Sequence, residues 1–249
     1  MNLSKATIPV PEYDLTLPSG KTLKYRQYLT KEKKLLLIAQ ETDNEEEKLN
    51  LYLQIIKNCV ISTPFDVEDL TLADFEYLIL NIRVRSTGDI ELDYTCKNQY
   101  FDSEDQREKI CNGIVHCAIA LDEIQIINKD KLSENLILDE ELGLGLKLKI
   151  PRIRDIVKME NSKNLKNYEK MENLILNSIT HLFTRDELIE TSDKKELADY
   201  LGELPLYQSD KIEKYFDDLP RMEYRNTVVC PFCAFKHDIV LTRTNDFLV

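Results

Sequence analysis

The chain has 249 residues, a formal net charge of -12 at pH 7, and 43% hydrophobic residues. This size and apolar content predict a folded chain with a real core, and the acidic balance disfavours general binding to nucleic acid or anionic lipid. No apolar run approaches the roughly 18 residues of a membrane span, and the start lacks the apolar segment of a secretion signal. Neither a membrane nor nucleic acid is therefore expected as a partner.

Residues 1–88 predict a hairpin followed by three helices. Apolar residues alternate through residues 13–28 on both sides of a Pro-Ser-Gly turn, which is typical of a β-hairpin. Apolar residues then recur at helical spacing through residues 31–41, 46–61 and 71–85.

In residues 89–151 the apolar residues no longer recur at helical spacing and instead alternate with polar ones. This pattern predicts a central, small, mostly antiparallel sheet. Within it, residues 98–110 are polar and charged, and we interpret them as a loop. Leu144, Leu146, Leu148 and Ile150 alternate up to a proline and predict the last strand of this region.

Residues 152–249 predict a helical region that ends in a cysteine-bearing β-hairpin. Residues 152–181 have helical periodicity, and two shorter helices follow, each opened by an aspartate and glutamate spaced as in a capping box. Strand-like residues flank the last cysteine pair. Together the three regions predict an α+β fold.

The sequence Cys230-Pro-Phe-Cys233 is the sharpest local motif. Because it lies between strand-like segments, its spacing is typical of a zinc knuckle, in which two thiolates on a tight turn hold one metal ion. His237 follows as a candidate third ligand. A structural zinc ion needs four donors, so a second pair must come from elsewhere in the chain.

The central region offers Cys96, Cys111, His116 and Cys117 as further donors. One interpretation is a single split zinc site whose four ligands are, in chain order, Cys96, Cys111, Cys230 and Cys233. The alternative is a degenerate ribbon that has lost its metal and keeps free thiols. A thioredoxin-like redox motif is disfavoured, because that chemistry places the attacking cysteine at a helix N-terminus, whereas strands flank this pair.

Other catalytic patterns are missing from the sequence. It contains no glycine-rich phosphate loop, no dinucleotide fingerprint and no His-Glu-x-x-His motif, and it has three histidines in all. The 45 acidic residues make any proposed carboxylate pair uninformative. We therefore expect no catalytic or cofactor-binding residues, apart from the possible structural zinc, and a protein that is not an enzyme.

Several short segments, taken in order, resemble one known family. They are Leu15 to Gly20, Leu70 to Leu78, Gly88 to Leu92, Tyr94 to Asn98, Leu142 to Pro151, and the Cys230–Cys233 motif. This order is similar to that of the T4-type bacteriophage baseplate hub proteins, and the length is most like that of the hub assembly catalyst. In the family pattern Cys96 would begin a Cys-x-x-Cys pair, but Gln99 stands at the second position.

The resemblance implies a non-enzymatic assembly factor that acts transiently on baseplate hub proteins in the host cytoplasm. "Catalyst" in that family means a factor absent from the finished particle. The alternative that the resemblance leaves open is a stoichiometric structural subunit of the hub. No active-site residues come with it.

Overall fold

A computed structural model describes residues 9–102, 106–129, 133–162, 165–242 and 244–247. The predicted α+β class is confirmed, with helices interspersed among several small antiparallel sheets. The helices are α1 (Thr30–Glu41), α2 (Glu45–Cys59), α3 (Leu72–Thr87), α4 (Ile153–Glu160), α5 (Asn167–Ser178), α6 (Lys194–Gly202), α7 (Leu206–Asp217) and α8 (Thr244–Phe247). The first seven strands are β1 (Glu12–Thr16), β2 (Thr22–Arg26), β3 (Ile90–Thr95), β4 (Gln99–Asp102), β5 (Arg107–Ile110), β6 (Ile114–Ile119) and β7 (Gln125–Ile127). The remaining strands are β8 (Asn135–Asp139), β9 (Leu144–Leu148), β10 (Ile179–Phe183), β11 (Leu188–Glu190), β12 (Arg221–Val229) and β13 (Lys236–Leu241).

The N-terminal region packs the β1–β2 hairpin against α1, α2 and α3. Local capping fixes the helix starts: the Asn44 side chain accepts a hydrogen bond from the Glu47 N–H, and Thr71 does the same for Asp74. Gly88 ends α3 with a φ of 87°, a conformation that favours glycine. The apolar stripes of the helices meet in one buried cluster centred on residues such as Ile56 and Leu78.

A four-stranded antiparallel sheet of order β11-β10-β9-β8 forms a second core with α5, α6 and α7. The expected helix over residues 152–181 is wrong at its end, because α5 stops at Ser178 and the chain continues as β10. Leu182 faces the core from that strand, so its burial fits the sheet as well as it fitted a helix. No helix of the described residues is long and apolar enough to cross a membrane.

A third group of strands carries the cysteines. β3 pairs with β6, while β12 pairs with both β13 and β7. A common core that includes Ile90, Ile119, Met222 and Tyr224 joins these strands to α3. Consequently the ends of β3 and β12, where cysteines follow, come to the same end of the molecule.

The predicted loop over residues 98–110 is wrong. β4 and β5 form an antiparallel hairpin there, with Gln99 opposite Ile110 and Asp102 opposite Arg107. The hairpin was not predicted because its sequence is mostly polar and its aromatic side chains, among them Phe101, are exposed. It therefore lacks the alternation of buried and exposed residues by which a strand is recognised. The division of the chain into regions 1–88, 89–151 and 152–249 stays a prediction, although the β9–β10 pairing crosses its second boundary.

Candidate metal centre

The first thiol pair lies where β3 and β6 converge. The Cys96 N–H donates to the Gly113 carbonyl at 2.8 Å, and the Asn112 N–H donates to the Cys96 carbonyl at 2.8 Å. Asn112 adopts a φ of 52°, which turns the chain sharply just after Cys111. The backbone is thus folded so that Cys96 and Cys111 face the same point.

The β4–β5 hairpin is inserted between these two cysteines. Its base is closed by a 2.9 Å hydrogen bond from the Cys111 N–H to the Asn98 carbonyl. Because residues 98 and 111 are paired, Cys111, at the other end of the hairpin, supplies the thiol that Gln99 lacks. The departure from a Cys-x-x-Cys pair at this place therefore leaves the thiol pair intact.

The second thiol pair lies on the turn between β12 and β13. The Cys230 N–H donates to the Phe235 carbonyl at 2.9 Å, and the Ala234 N–H donates to the Cys230 carbonyl at 2.9 Å. Ala234 has a φ of 58°. The turn holds Cys230 and Cys233 side by side, as the Cys-Pro-Phe-Cys spacing predicts.

The two pairs meet. The sulfurs of all four cysteines lie within 4.8 Å of one another, with 3.7 Å between Cys96 and Cys233 and 3.6 Å between Cys111 and Cys230. Four sulfurs placed tetrahedrally at about 2.3 Å from a zinc ion would lie about 3.8 Å apart. A disulfide requires about 2.05 Å, and all four cysteines are free. The described residues thus bring together the four cysteines of the predicted split site, in an arrangement of the size that a metal ion requires.

Backbone N–H groups are directed at these sulfurs. Burial favours the neutral Cys230 thiol, but hydrogen bonds from the Cys233 and Phe232 N–H groups outweigh it and lower the pKa of Cys230 to about 7. Burial raises the pKa of Cys96, although the Asn98 N–H acts in the opposite direction.

At Cys111 the Gly113 N–H favours the thiolate, but burial and the neighbouring thiols together raise the pKa to about 12. Close thiolates at this centre disfavour one another, which contributes to the raised pKa of Cys111. A divalent ion would remove that conflict, because it stabilises all four thiolates together.

Side chains around the centre add further contacts. His237 Nε2 lies 3.1 Å from the Cys96 sulfur, and the Asn98 amide nitrogen lies 3.7 Å from the Cys233 sulfur. The His237 ring packs between the rings of Tyr94 and Phe235, at 5.0 and 4.9 Å between centroids. His237 is thus a hydrogen-bond neighbour of the Cys96 thiol and lies outside the cluster of four sulfurs, and its role as a ligand stays a prediction.

The other candidate donors do not join the centre. Cys117 is buried in the adjoining core, where its sulfur lies 3.5 Å from the Tyr224 hydroxyl. His116 is exposed and pairs with Asp93 at 2.5 Å. Sequence reasoning missed Asn98 and Gly113, whose backbone groups form hydrogen bonds at the thiols. Asn98 lies in a polar tract and Gly113 is isolated, so no sequence pattern indicated either residue.

Comparison with known protein families identifies the chain. A family model described as T4 bacteriophage base plate protein matches residues 10–249. The chain belongs to this baseplate protein family. No curated protein and no solved structure matches it.

The cysteine centre of this baseplate protein is closed. Cys96 and Cys230 are buried, while Cys111 and Cys233 are partly covered. Four protein ligands would fill a tetrahedral metal and leave no position for water or substrate, which distinguishes structural from catalytic zinc sites. A metal ion held in this way would join two distant segments of the chain.

Proposed function

We propose that this baseplate protein is a non-enzymatic assembly factor that acts transiently on hub proteins in the host cytoplasm, and that its four cysteines hold a structural zinc ion. The family match over residues 10–249 carries the first part of the proposal. The thiol cluster within 4.8 Å carries the second.

The ligand chemistry supports zinc over magnesium and calcium. Four thiolates in a compact, closed set are typical of structural zinc sites, whereas magnesium and calcium prefer oxygen ligands. The backbone N–H groups aimed at the sulfurs would disperse the negative charge that four thiolates leave on a doubly charged ion. When bound, zinc would supply a cross-link between the two thiol pairs.

A closed site also supports a role other than catalysis. A catalytic metal keeps a coordination position open, and this set fills all four with protein sulfur. An assembly factor acts by binding and release, so it requires contact surfaces and short residence times instead of a reactive group.

Zinc content tests the metal. We expect purified protein to contain one zinc per chain by elemental mass spectrometry, and cobalt substitution to give the absorption of a tetrahedral thiolate site. Cys230→Ser with Cys233→Ser should abolish both, whereas Cys117→Ser, a buried thiol outside the centre, should change neither. A metal-free protein after expression with added zinc would reject this part.

Quantitative mass spectrometry of purified particles against infected-cell lysate tests the assembly role, with a hub subunit of fixed copy number as the internal standard. An assembly factor is abundant in lysate and absent from particles, and it accelerates the association of purified hub components. A fixed copy number in particles would instead identify a structural hub subunit, which is the competing function within the same family.

A further inference from the structure

A partly apolar cavity of about 250 Å³ lies between β11 and α6, far along the chain from the cysteine centre. Its apolar lining includes Leu182, Ile189, Leu197 and Tyr200. This volume suits one or two apolar side chains and is smaller than the pockets of roughly 300–1,000 Å³ that enclose drug-sized ligands. Its size therefore favours a protein segment as the occupant.

The rim of the cavity is acidic. Glu190, Asp193 and Glu196 line it and are exposed. The Asp193 carboxylate already accepts hydrogen bonds from the first turn of α6. The nearby Lys194 ammonium donates to the Ile179 carbonyl at 2.9 Å, so it is directed at the sheet. The two glutamates consequently give the opening a negative potential that complements a basic partner.

The cavity opens beside an outer edge of the four-stranded sheet. β11 is the outer strand of the order β11-β10-β9-β8. The Thr184 N–H donates to the Glu187 carbonyl, and the Thr191 N–H donates to the Thr180 carbonyl. Hydrogen-bonded and non-hydrogen-bonded residue pairs alternate along an antiparallel ladder, so the pairs at positions 188 and 190 are not hydrogen-bonded to β10. Leu188 and Glu190 therefore direct their backbone N–H and C=O groups away from β10.

A strand added to this edge would present alternate side chains to two different surfaces. Ile189 and Leu182 are opposite one another in the register and lie on the face covered by α6, where the cavity is. The side chain of Glu190, the next residue along, leaves the strand on the other side, and Glu190 borders the cavity at the edge of the strand. The added strand would thus place apolar side chains toward the cavity and basic side chains toward Glu190.

We propose that the β11 edge and its cavity bind an extended, basic segment of a partner protein, with alternating lysine or arginine and apolar residues, by strand addition. Backbone pairing along Leu188–Glu190 supplies the register, the cavity accepts one apolar side chain, and the glutamates select for positive charge. The assignment of that partner to the baseplate hub rests on the proposed assembly role, whereas the binding site itself does not.

Fluorescence anisotropy with the full chain tests the site. The probe is a labelled Lys-Val-Lys-Val-Lys-Val-Lys peptide, compared with a Glu-Val counterpart and with a version N-methylated on alternate residues. We expect saturable binding of the first peptide, weakened by added salt, and affinities at least about tenfold lower for the other two. Equal binding of the acidic or the N-methylated peptide would overturn the proposal.

Charge-neutralising variants locate the site. Glu190→Gln with Glu196→Gln should weaken the basic peptide about tenfold. The matched control is Glu172→Gln with Glu213→Gln, two exposed helix glutamates outside the cavity, and it should bind as the unmodified chain does. Equal affinity in both variants, or no binding by any form, would reject the site. Because these measurements use the isolated chain, failure of the assembly role would leave their outcome unchanged.

Discussion

Among the described residues, sixteen buried apolar residues of the N-terminal region form one continuous cluster with Ile153 of α4, whereas the cluster at the cysteine centre contains three, two of which are cysteines. The first region has enough apolar burial to hold its helices and hairpin together. The second joins turns 119 residues apart in the chain and has little apolar surface of its own, although the core shared by β3, β6 and β12 lies beside it. We therefore expect packing to stabilise the first region, and the proposed metal to contribute most at the turns that carry the cysteines.

Removing the thiols should give the largest effect. We expect Cys230→Ser with Cys233→Ser to lose the zinc and to lower the free energy of unfolding by about 4 kcal/mol, or roughly 10 °C in melting temperature. Hydrogen exchange should accelerate at the ends of β3, β6 and β12 and stay slow in α2. Uniform acceleration across the chain would show that both regions depend on the centre, and unchanged exchange would show that neither does.

A cavity in the N-terminal core should produce the opposite pattern. Leu78 is completely buried in that cluster, so Leu78→Ala should cost about 3 kcal/mol of stability through lost apolar contacts, with zinc content unchanged. Leu37, which is 48% exposed on α1, provides the matched control, and Leu37→Ala should be nearly neutral. Chemical denaturation followed by metal analysis measures both properties. Loss of zinc from the Leu78 variant would break the separation between the regions.

A buried ion pair in the same N-terminal region gives a pH test. The Glu32 side chain is fully buried, accepts the Leu29 N–H at 2.9 Å and pairs with Arg26 at 3.3 Å. Burial opposes its charge, but the Leu29 N–H and Arg26 outweigh burial and lower the pKa of Glu32 below its ordinary value of 4.5.

The folded state therefore favours the Glu32 carboxylate, and its contribution is complete above pH 4.5 and lost as the pH falls through the lowered folded pKa. Glu32→Gln should cost about 2 kcal/mol at pH 7, and the difference from the unmodified chain should shrink in acid. Glu41→Gln, at an exposed position of α1, is the control. Melting curves from pH 7 to pH 3 that keep a constant difference would contradict this account.

The smallest expected effect lies at the contact between the two cysteine turns. A Cβ on Gly113 would come within 2.3 Å of the Phe232 ring, which has to move. Gly113→Ala should therefore cost about 1 kcal/mol, and Phe232→Ala in the same chain should restore most of it, because that ring is exposed. Gly202, with open space around its Cβ position, supplies the control substitution to alanine. Additive losses in the double variant would show that the two turns do not touch in solution.

Much of the architecture followed from hydrophobic spacing. The periodic stripes of α2 and α3 and the alternation of β9 predicted those elements closely, because their apolar residues recur at the period of the element, although α3 and β9 are buried on more than one side. β10 was missed because it directly follows a helix and is too short for its apolar residues to show a strand period. The β4–β5 hairpin was missed because it buries little.

The candidate site followed from chemistry more than from pattern. The Cys230–Cys233 spacing predicted one knuckle, and the requirement for four donors pointed to a second pair. Choosing Cys96 and Cys111 over Cys117 depended on tertiary pairing, since only the register of β3 with β6 turns Cys117 into the adjoining core. Local sequence holds no information about a contact between residues more than a hundred positions apart.

The β4–β5 hairpin is closed at its base by the pairing of residues 98 and 111. The positions of the Cys96 and Cys111 sulfurs therefore do not depend on the length of the chain between these two cysteines. Whatever lies beyond that base can be lengthened, shortened or exchanged while the two sulfurs keep their places. An exchange of exposed residues within β4 and β5 is consequently expected to leave the two sulfurs in place. By the same reasoning, relatives with intervening segments of very different size can share this centre although no fixed spacing would reveal it.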